Sequence, residues 1–176
     1  MIELRDMIES DIENYIRWFT VDTEWAYWDA PWEPLEPTTA EEERASWSEY
    51  YQQVRNLPDS VTRHKFEVVA DGIHIGWVSR YDDLGYMANP DHIPAVGIDL
   101  PEQSARSRGA GTEALRLFLD YLRDRGYPAV YTQTWSGNLP MLRVAEKLGF
   151  REVCRKVGIR VVHGERYDAV TFRLDF

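Results

Sequence analysis

VGIDLPEQSARSRGAGTEALRLFLDYL, residues 96–122, is the stretch on which the fold turns. It starts inside an apolar run, IPAVGIDL, that reads as a strand. It ends in a long amphipathic helix: Ala114, Leu115, Phe118, Tyr121 and Leu122 recur at helical spacing, and the run stops near Gly126. Between them lies RSRGAGT. Its glycines let the backbone turn so that successive N–H groups point at one spot, and the helix behind adds the positive end of its dipole. Arg106 and Arg108 can add charge at the rim. The pattern fits an anion cradle, and it equally fits a solvent turn before a helix.

Outward from this stretch, strands and helices alternate. AVYTQTW reads as the next strand and completes a strand–helix–strand unit. NLPMLRVAEKLGF is a short helix closed by Gly149, and EVCRKVGIRVVHGERYDAVTFRL a final hairpin turning at His163-Gly164. Upstream, KFEVVA and IHIGWVSRY flank an Asp71-Gly72 hairpin turn. TTAEEERASWSEYYQQVRN is a helix capped by threonine, with acids in its first turn and Trp47, Tyr51 and Val54 on one face. IELRDM is the first strand. SDIENYIRWF follows as a helix, with Ser10 and Glu13 in capping-box positions. TVDTEWAYWDAPWEPLEP, between these helices, is rich in aromatics, acids and proline and too broken for a regular helix near its end. No internal repeat, linker or low-complexity segment interrupts this order.

The 176 residues suit one domain, which at this size buries roughly 70% of its unfolded surface. With 44% hydrophobic and 28% charged residues the composition is that of an ordinary globular protein. There is no run of ~18 apolar residues to span a membrane. The start, MIELRDMIESD, is not that of a signal peptide. The lone cysteine, Cys154, cannot form an internal disulfide and fits a reducing cytoplasm. Four scattered histidines without metal-ligand spacing point to no metal site. A net charge of -10 disfavours general nucleic-acid binding and biases partners toward cations.

Two nucleotide-loop readings of the central stretch fail on spacing. GAGTEA, residues 109–114, matches G-x-G-x-x-[GA], but the strand ends well before Gly109 and AVYTQTW carries no ribose-binding acid. The loop G-x-x-x-x-G-K-[ST] is absent. A third reading is a resemblance. The stretch resembles the central motif of the GNAT superfamily of acyl-CoA-dependent N-acyltransferases, [QR]-x-x-G-x-[GA], filled by Arg106, Gly109 and Gly111. NLPMLRVAEKLGF resembles that family's second motif, and HGERYDAVTFRL the C-terminal hairpin of its subgroup that acetylates ribosomal-protein N-termini. The resemblance covers residues from about 95 to 176 in the right order; the first half matches only in outline.

The resemblance implies a single α+β domain over residues 1–176, with a mixed central sheet whose strands splay and helices flanking it. It implies acetyl-CoA as cosubstrate and no metal. Coenzyme contacts would come from Ile98 and Leu100 on the strand, from Arg106, Arg108, Gly109, Ala110, Gly111 and Thr112 in the loop, and from Asn138 and Arg143. Lys147 would lie near the outer phosphate. Strand N–H groups would stabilise the oxyanion of the acyl transfer. Asn138 also reads as a plain helix cap.

An attacking amine must first lose a proton. Asp99, at the end of the strand beside the acyl group, is the candidate catalytic base, and Glu102 is next in line. The positions where relatives carry a thiolate-protonating tyrosine or serine are Ala145 and Met141 here. The aromatic, acidic segment around Glu24, Trp25 and Trp28 is the candidate acceptor site, since rings and acids suit an ammonium; it reads equally as a loop packed on the core. The function implied is transfer of acetyl to a primary amine without a covalent enzyme intermediate. The acceptor would be cationic: a polyamine, an aminoglycoside-like antibiotic or a peptide N-terminus. The partners are then a small-molecule amine or peptide N-terminus, with no nucleic acid and no membrane, for a cytoplasmic monomer or homodimer. The competing class is a non-catalytic acyl-CoA-binding sensor or scaffold.

Overall fold

The computed structural model describes residues 1–106 and 108–176; Ser107, inside the glycine loop, lies outside them. In chain order the elements are β1 (Ile2–Arg5), α1 (Asp11–Thr20), a 3-10 turn (Thr23–Trp25) running into the single turn α2 (Ala26–Asp29), and α3 (Ala40–Val54). Then come β2 (Lys65–Ala70), β3 (Ile73–Tyr81), β4 (Ala95–Asp99), a second 3-10 turn (Gln103–Ala105) and α4 (Ala110–Asp124). β5 (Ala129–Trp135), α5 (Leu139–Lys147), β6 (Arg151–Val162) and β7 (Glu165–Asp175) complete the chain.

All seven strands join one sheet in the order β1-β2-β3-β4-β5-β7-β6. Its hairpins turn where the residues permit positive φ. Asp71 and Gly72 sit at +49° and +82°, and His163 and Gly164 at +49° and +82°, the pattern of a two-residue turn matched to strand twist. β4 and β5 are joined through α4 and run parallel, while the other neighbours are antiparallel. On one face the apolar stripe of α4, with Leu115, Phe118 and Leu122, packs on Val68, Val78, Val96 and Val130. On the other, α1 and α3 cover an aromatic cluster of Tyr15, Trp18, Trp25 and Trp77, with Trp47 packed against it.

The expected splay lies between β4 and β5. Their register holds only Ala95↔Tyr131. One step further, the Thr132 hydroxyl donates to the Val96 carbonyl at 2.8 Å in place of a ladder bond. β5 meanwhile pairs with β7 along its whole length, from Ala129↔Asp175 to Trp135↔Ala169. The end of β4 leans instead toward β3. A Cβ on Gly76 would overlap the Asp99 carbonyl oxygen, so only glycine admits that approach.

The α1 capping box does not form. Ser10 is helical at φ -67° and ψ -15°, with no side-chain cap bond. Asp11, the first residue of the helix, is engaged outside it: its carboxylate accepts from the Ile8 N–H at 2.9 Å while Arg5 grips it from the other side. Glu13 pairs with Arg44 of α3 instead. The box forms at the start of α3, between Thr39 and Glu42.

Candidate active site

Where β4 and β5 part, a cleft of about 790 Å³ opens between them and is lined from both faces of the sheet. On the α4 face its wall includes Ile98, Leu100, Gly109, Gly111 and Thr112, with Met141, Arg143, Val144 and Lys147 of α5. On the α1/α3 face it includes Ser79, Tyr81, Gly97 and Asp99, with Glu24, Trp25, Trp28 and Asp29 closing over them. The register explains the second set. Ser79 stands opposite Gly97 and Trp77 opposite Asp99, so these side chains share a face.

The glycine loop meets the cleft at the start of α4. Gly109 is left-handed at φ +84° and begins the helix with no side-chain cap, so among the described residues the first helical N–H groups have no side-chain acceptor. Gly111 lies over the end of β4; a Cβ there would touch the Leu100 and Ile98 side chains at 3.5 and 3.8 Å. Two expected coenzyme contacts do not line the cleft. Ala110 is 7% exposed and belongs to the α4 core, and Arg108 points out from an exposed position. Arg106 lines the cleft but is no free rim charge. It donates to the Leu100 carbonyl at 2.8 Å and the Pro101 carbonyl at 3.3 Å, and pairs with Glu24.

Asn138 caps α5, its side-chain oxygen accepting from the Met141 N–H at 3.0 Å. Its amide also donates to the Trp28 carbonyl at 2.7 Å, and the Trp135 indole donates to the same oxygen at 3.0 Å. The aromatic segment is thus pinned at both ends of the opening, through Glu24 to Arg106 and through Trp28 to Asn138. Gly137 makes the second pin possible, because a Cβ there would overlap the Trp135 ring.

Asp99 lies half-buried on the cleft floor. Burial and then the Asp29 carboxylate push its pKa up to about 8; the Lys65 ammonium and the Trp77 indole pull the other way. Glu102, the alternative base, is held below its ordinary value, first by the Arg17 hydrogen bond at 2.9 Å, and is not part of the cleft wall. The two usual thiolate-protonating positions hold no hydroxyl: Met141 lines the cleft and Ala145 is fully buried. Tyr81 keeps its proton firmly, its pKa raised by burial and then by Asp29.

The aromatic segment divides between packing and cleft. Trp25 is 7% exposed, donates to the Trp18 carbonyl at 2.9 Å and packs edge-on against Phe19 and Trp77. Tyr27 and Trp32 lie against Trp135. Trp28 and Asp29 face the cleft. Sequence reasoning passed over Asp29, Ser79 and Tyr81 as site residues. Alternation along β3 carried the signal for the last two, since Trp77, Ser79 and Tyr81 share the face of Asp99. Among the described residues, no cluster of His, Cys, Asp and Glu is placed to hold a metal ion, and no helix is long and apolar enough to cross a membrane.

A family model described as an acetyltransferase (GNAT) domain matches residues 2–151. The match takes in the first half of the chain and stops at the first residue of β6. A mycothiol acetyltransferase of Thermomonospora curvata is 40% identical over 62 residues, 35% of this chain and 21% of that protein, so the chain matches about a fifth of that relative's length. Among solved structures, a ribosomal-protein-alanine N-acetyltransferase from Brucella melitensis superposes with a TM-score of 0.68 at 17% identity, over 99% of both chains. A Salmonella typhimurium protein solved with its cofactor acetyl-CoA gives 0.69 at 16% identity, over 99% of this chain and 93% of that one.

Proposed function

The chain belongs to the GNAT acetyltransferase family, and we propose that it moves an acetyl group from acetyl-CoA directly onto a primary amine of a cationic acceptor. The observation that carries this reading is the cleft between β4 and β5, with an uncapped, glycine-led helix start on one face and a carboxyl of raised pKa on the other.

The residues fit the coenzyme. An anion answers the N–H groups at Gly109, Gly111 and Thr112 at the start of α4, and Arg143 and Lys147 bring positive charge to the same side. The edge of β4 that turns from β5 at Ile98 is free to pair with an extended arm. Bound acetyl-CoA supplies an activated acyl group on sulfur. Asp99 then takes the proton of the acceptor ammonium. A base with its pKa near 8 is matched to working pH, and burial makes its carboxylate more basic than an ordinary aspartate. No side chain need protonate a thiolate leaving group, whose ordinary pKa is ~8.5. Asp29 supplies a carboxylate, and Trp28 a ring face, for a cationic acceptor. Glu24 adds less, because Arg106 neutralises it. The half-buried lone thiol of Cys154 fits a cytoplasmic setting, and the single sheet fits one domain over residues 1–176.

Coenzyme-thiol release across a panel of amines tests the reading. Polyamines, aminoglycoside-like amines and peptide N-termini should outrun neutral monoamines, with an acceptor KM that rises with salt as exposed charges are screened over ~8–10 Å. Asp99→Asn should lower turnover by about 10²–10⁴-fold and leave acetyl-CoA affinity unchanged. Binding of acetyl-CoA with no release for any amine would favour the sensor reading instead.

A further inference from the structure

Arg160 of β6 is held by rings rather than by acids. Its guanidinium carbon lies 4.2 Å from the ring centre of Trp32 and 5.9 Å from that of Tyr86. The other arginines of the β6–β7 hairpin are matched: Arg155 by Glu152 and Asp168, Arg151 and Arg173 by Asp175, and Arg166 by the Gly158 carbonyl. Among the described residues Arg160 has no such match, and its Nε is shut off from solvent with no hydrogen-bond partner. A buried donor left unmet costs free energy, and an acceptor that reaches the guanidinium fork removes that cost. The register puts Arg160 on the acceptor side of the sheet. Ala95↔Tyr131 places Gln133 and Trp135 on the face of Asp99, and Trp135 stands opposite Ala169. Arg160 stands opposite Tyr167, two residues from Ala169, and so shares that face. Two chains of contact tie it to the cleft. Trp32 meets the Trp135 ring edge-on, and the Trp135 indole donates to the carbonyl of Trp28. The Tyr86 and Thr171 hydroxyls share a hydrogen bond of 2.9 Å, and Thr171 also accepts from the amide of Gln133, a cleft residue, at 2.9 Å.

We propose that Arg160 is a specificity-determining residue: clamped on Trp32, its guanidinium receives a carboxylate of the acceptor, across the break in the sheet from Asp99. The proposal rests on the acetyltransferase reading and refines its acceptor. The acceptor's ammonium end meets Trp28 and Asp29, and its acid end meets Arg160. A polyamine or an aminoglycoside has no carboxylate to offer; a peptide with a free N-terminus has one. The span narrows the class further. β7, whose Thr171 holds Tyr86, lies two strand positions from β4, which carries Asp99. Two strand spacings are roughly 10 Å, the length of about three extended residues. An acid group that far from the reacting amine belongs to a short peptide and not to a free α-amino acid. The preferred acceptor is therefore a peptide N-terminus with a carboxylate about three residues on.

The test is acetyl-CoA-dependent thiol release with trialanine, its C-terminal amide, free alanine and a polyamine, in the wild type, Arg160→Met and Arg160→Lys. In the wild type, trialanine should show a KM roughly ten- to a hundredfold below that of its amide, the range expected for hydrogen bonds to a charged group. Free alanine should gain no such advantage. Arg160→Met should remove the difference between the two peptides while leaving the KM of the amide and the acetyl-CoA Kd unchanged. Arg160→Lys, which keeps the charge but loses the fork, should keep part of it. If Arg160→Met fails to fold, Arg160→Gln takes its place. Turnover that ignores the carboxylate, favours free alanine equally, or keeps its preference without Arg160 overturns this proposal alone. Release with none of the amines, the polyamine included, overturns the acetyltransferase reading and the proposal with it.

Discussion

Asp11 is 2% exposed, yet it is ionised. Burial works against the charge, but the Arg5 hydrogen bonds at 2.6 and 2.7 Å, His74 and the Ile8 N–H outweigh it and hold the carboxyl well below the usual range. His74 shows the converse: burial lowers its pKa, but Asp11 and Glu67 win and raise it. The signs set the pH window. The contribution of Asp11 is present above its unfolded pKa of ~3.9 and is lost as pH falls toward the depressed folded value. That of His74 is complete below ~6.5 and is lost as pH rises through the raised folded value. Asp11→Asn should cost about 3–5 kcal/mol, because it strands buried charge, and should weaken the alkaline slope of stability. Urea unfolding at a series of pH values measures both; a loss under ~1 kcal/mol would mean that the charges are dispensable. Single residues were legible where chemistry and local pattern coincide. Asp99 ends a strand beside a glycine loop, and Asn138 opens a helix. The second partner of Asn138, the Trp28 carbonyl, is 110 positions away, and nothing in local pattern can announce such a contact.

At the scale of elements, periodicity set out the strands and helices well, because hairpin turns and amphipathic stripes are local events. The caps were less legible. Ser10 and Thr39 each precede a helix with glutamate three residues on, yet only Thr39 forms the box. The difference is tertiary: Arg5 and Ile8 claim the acid beside Ser10, and Arg44 claims Glu13. Thr39→Ala should therefore destabilise by about 1 kcal/mol, and Ser10→Ala by less than ~0.5 kcal/mol. Chemical denaturation of the two variants checks the contrast, and equal losses would contradict it. The segment between α1 and α3 was the least legible element. Its prolines exclude a long helix, but which rings pack and which face the cleft depends on the distant anchors Arg106, Trp135 and Asn138.

At the scale of the molecule, the sheet is a frame broken at one place. Six strand pairings are made, and the parallel one stops at Ala95↔Tyr131 because β4 leans toward Gly76 and β5 follows β7. The break lets one cleft reach both faces, with the glycine loop on one and the carboxyls on the other. The acidic surplus, 30 residues against 20 basic, gives the molecule as a whole a negative field. The central claim is that acetyl-CoA lies in this break with its phosphates at the start of α4. Gly111→Trp tests it most directly. A Cβ there makes only ordinary contacts with Leu100 and Ile98, and the added ring takes up space in the part of the cleft that Gly111 lines. Calorimetric titration of acetyl-CoA into both folded proteins is the measurement. The expected result is one-site binding by the wild type and none measurable by the variant; equal affinity in the two would contradict the account.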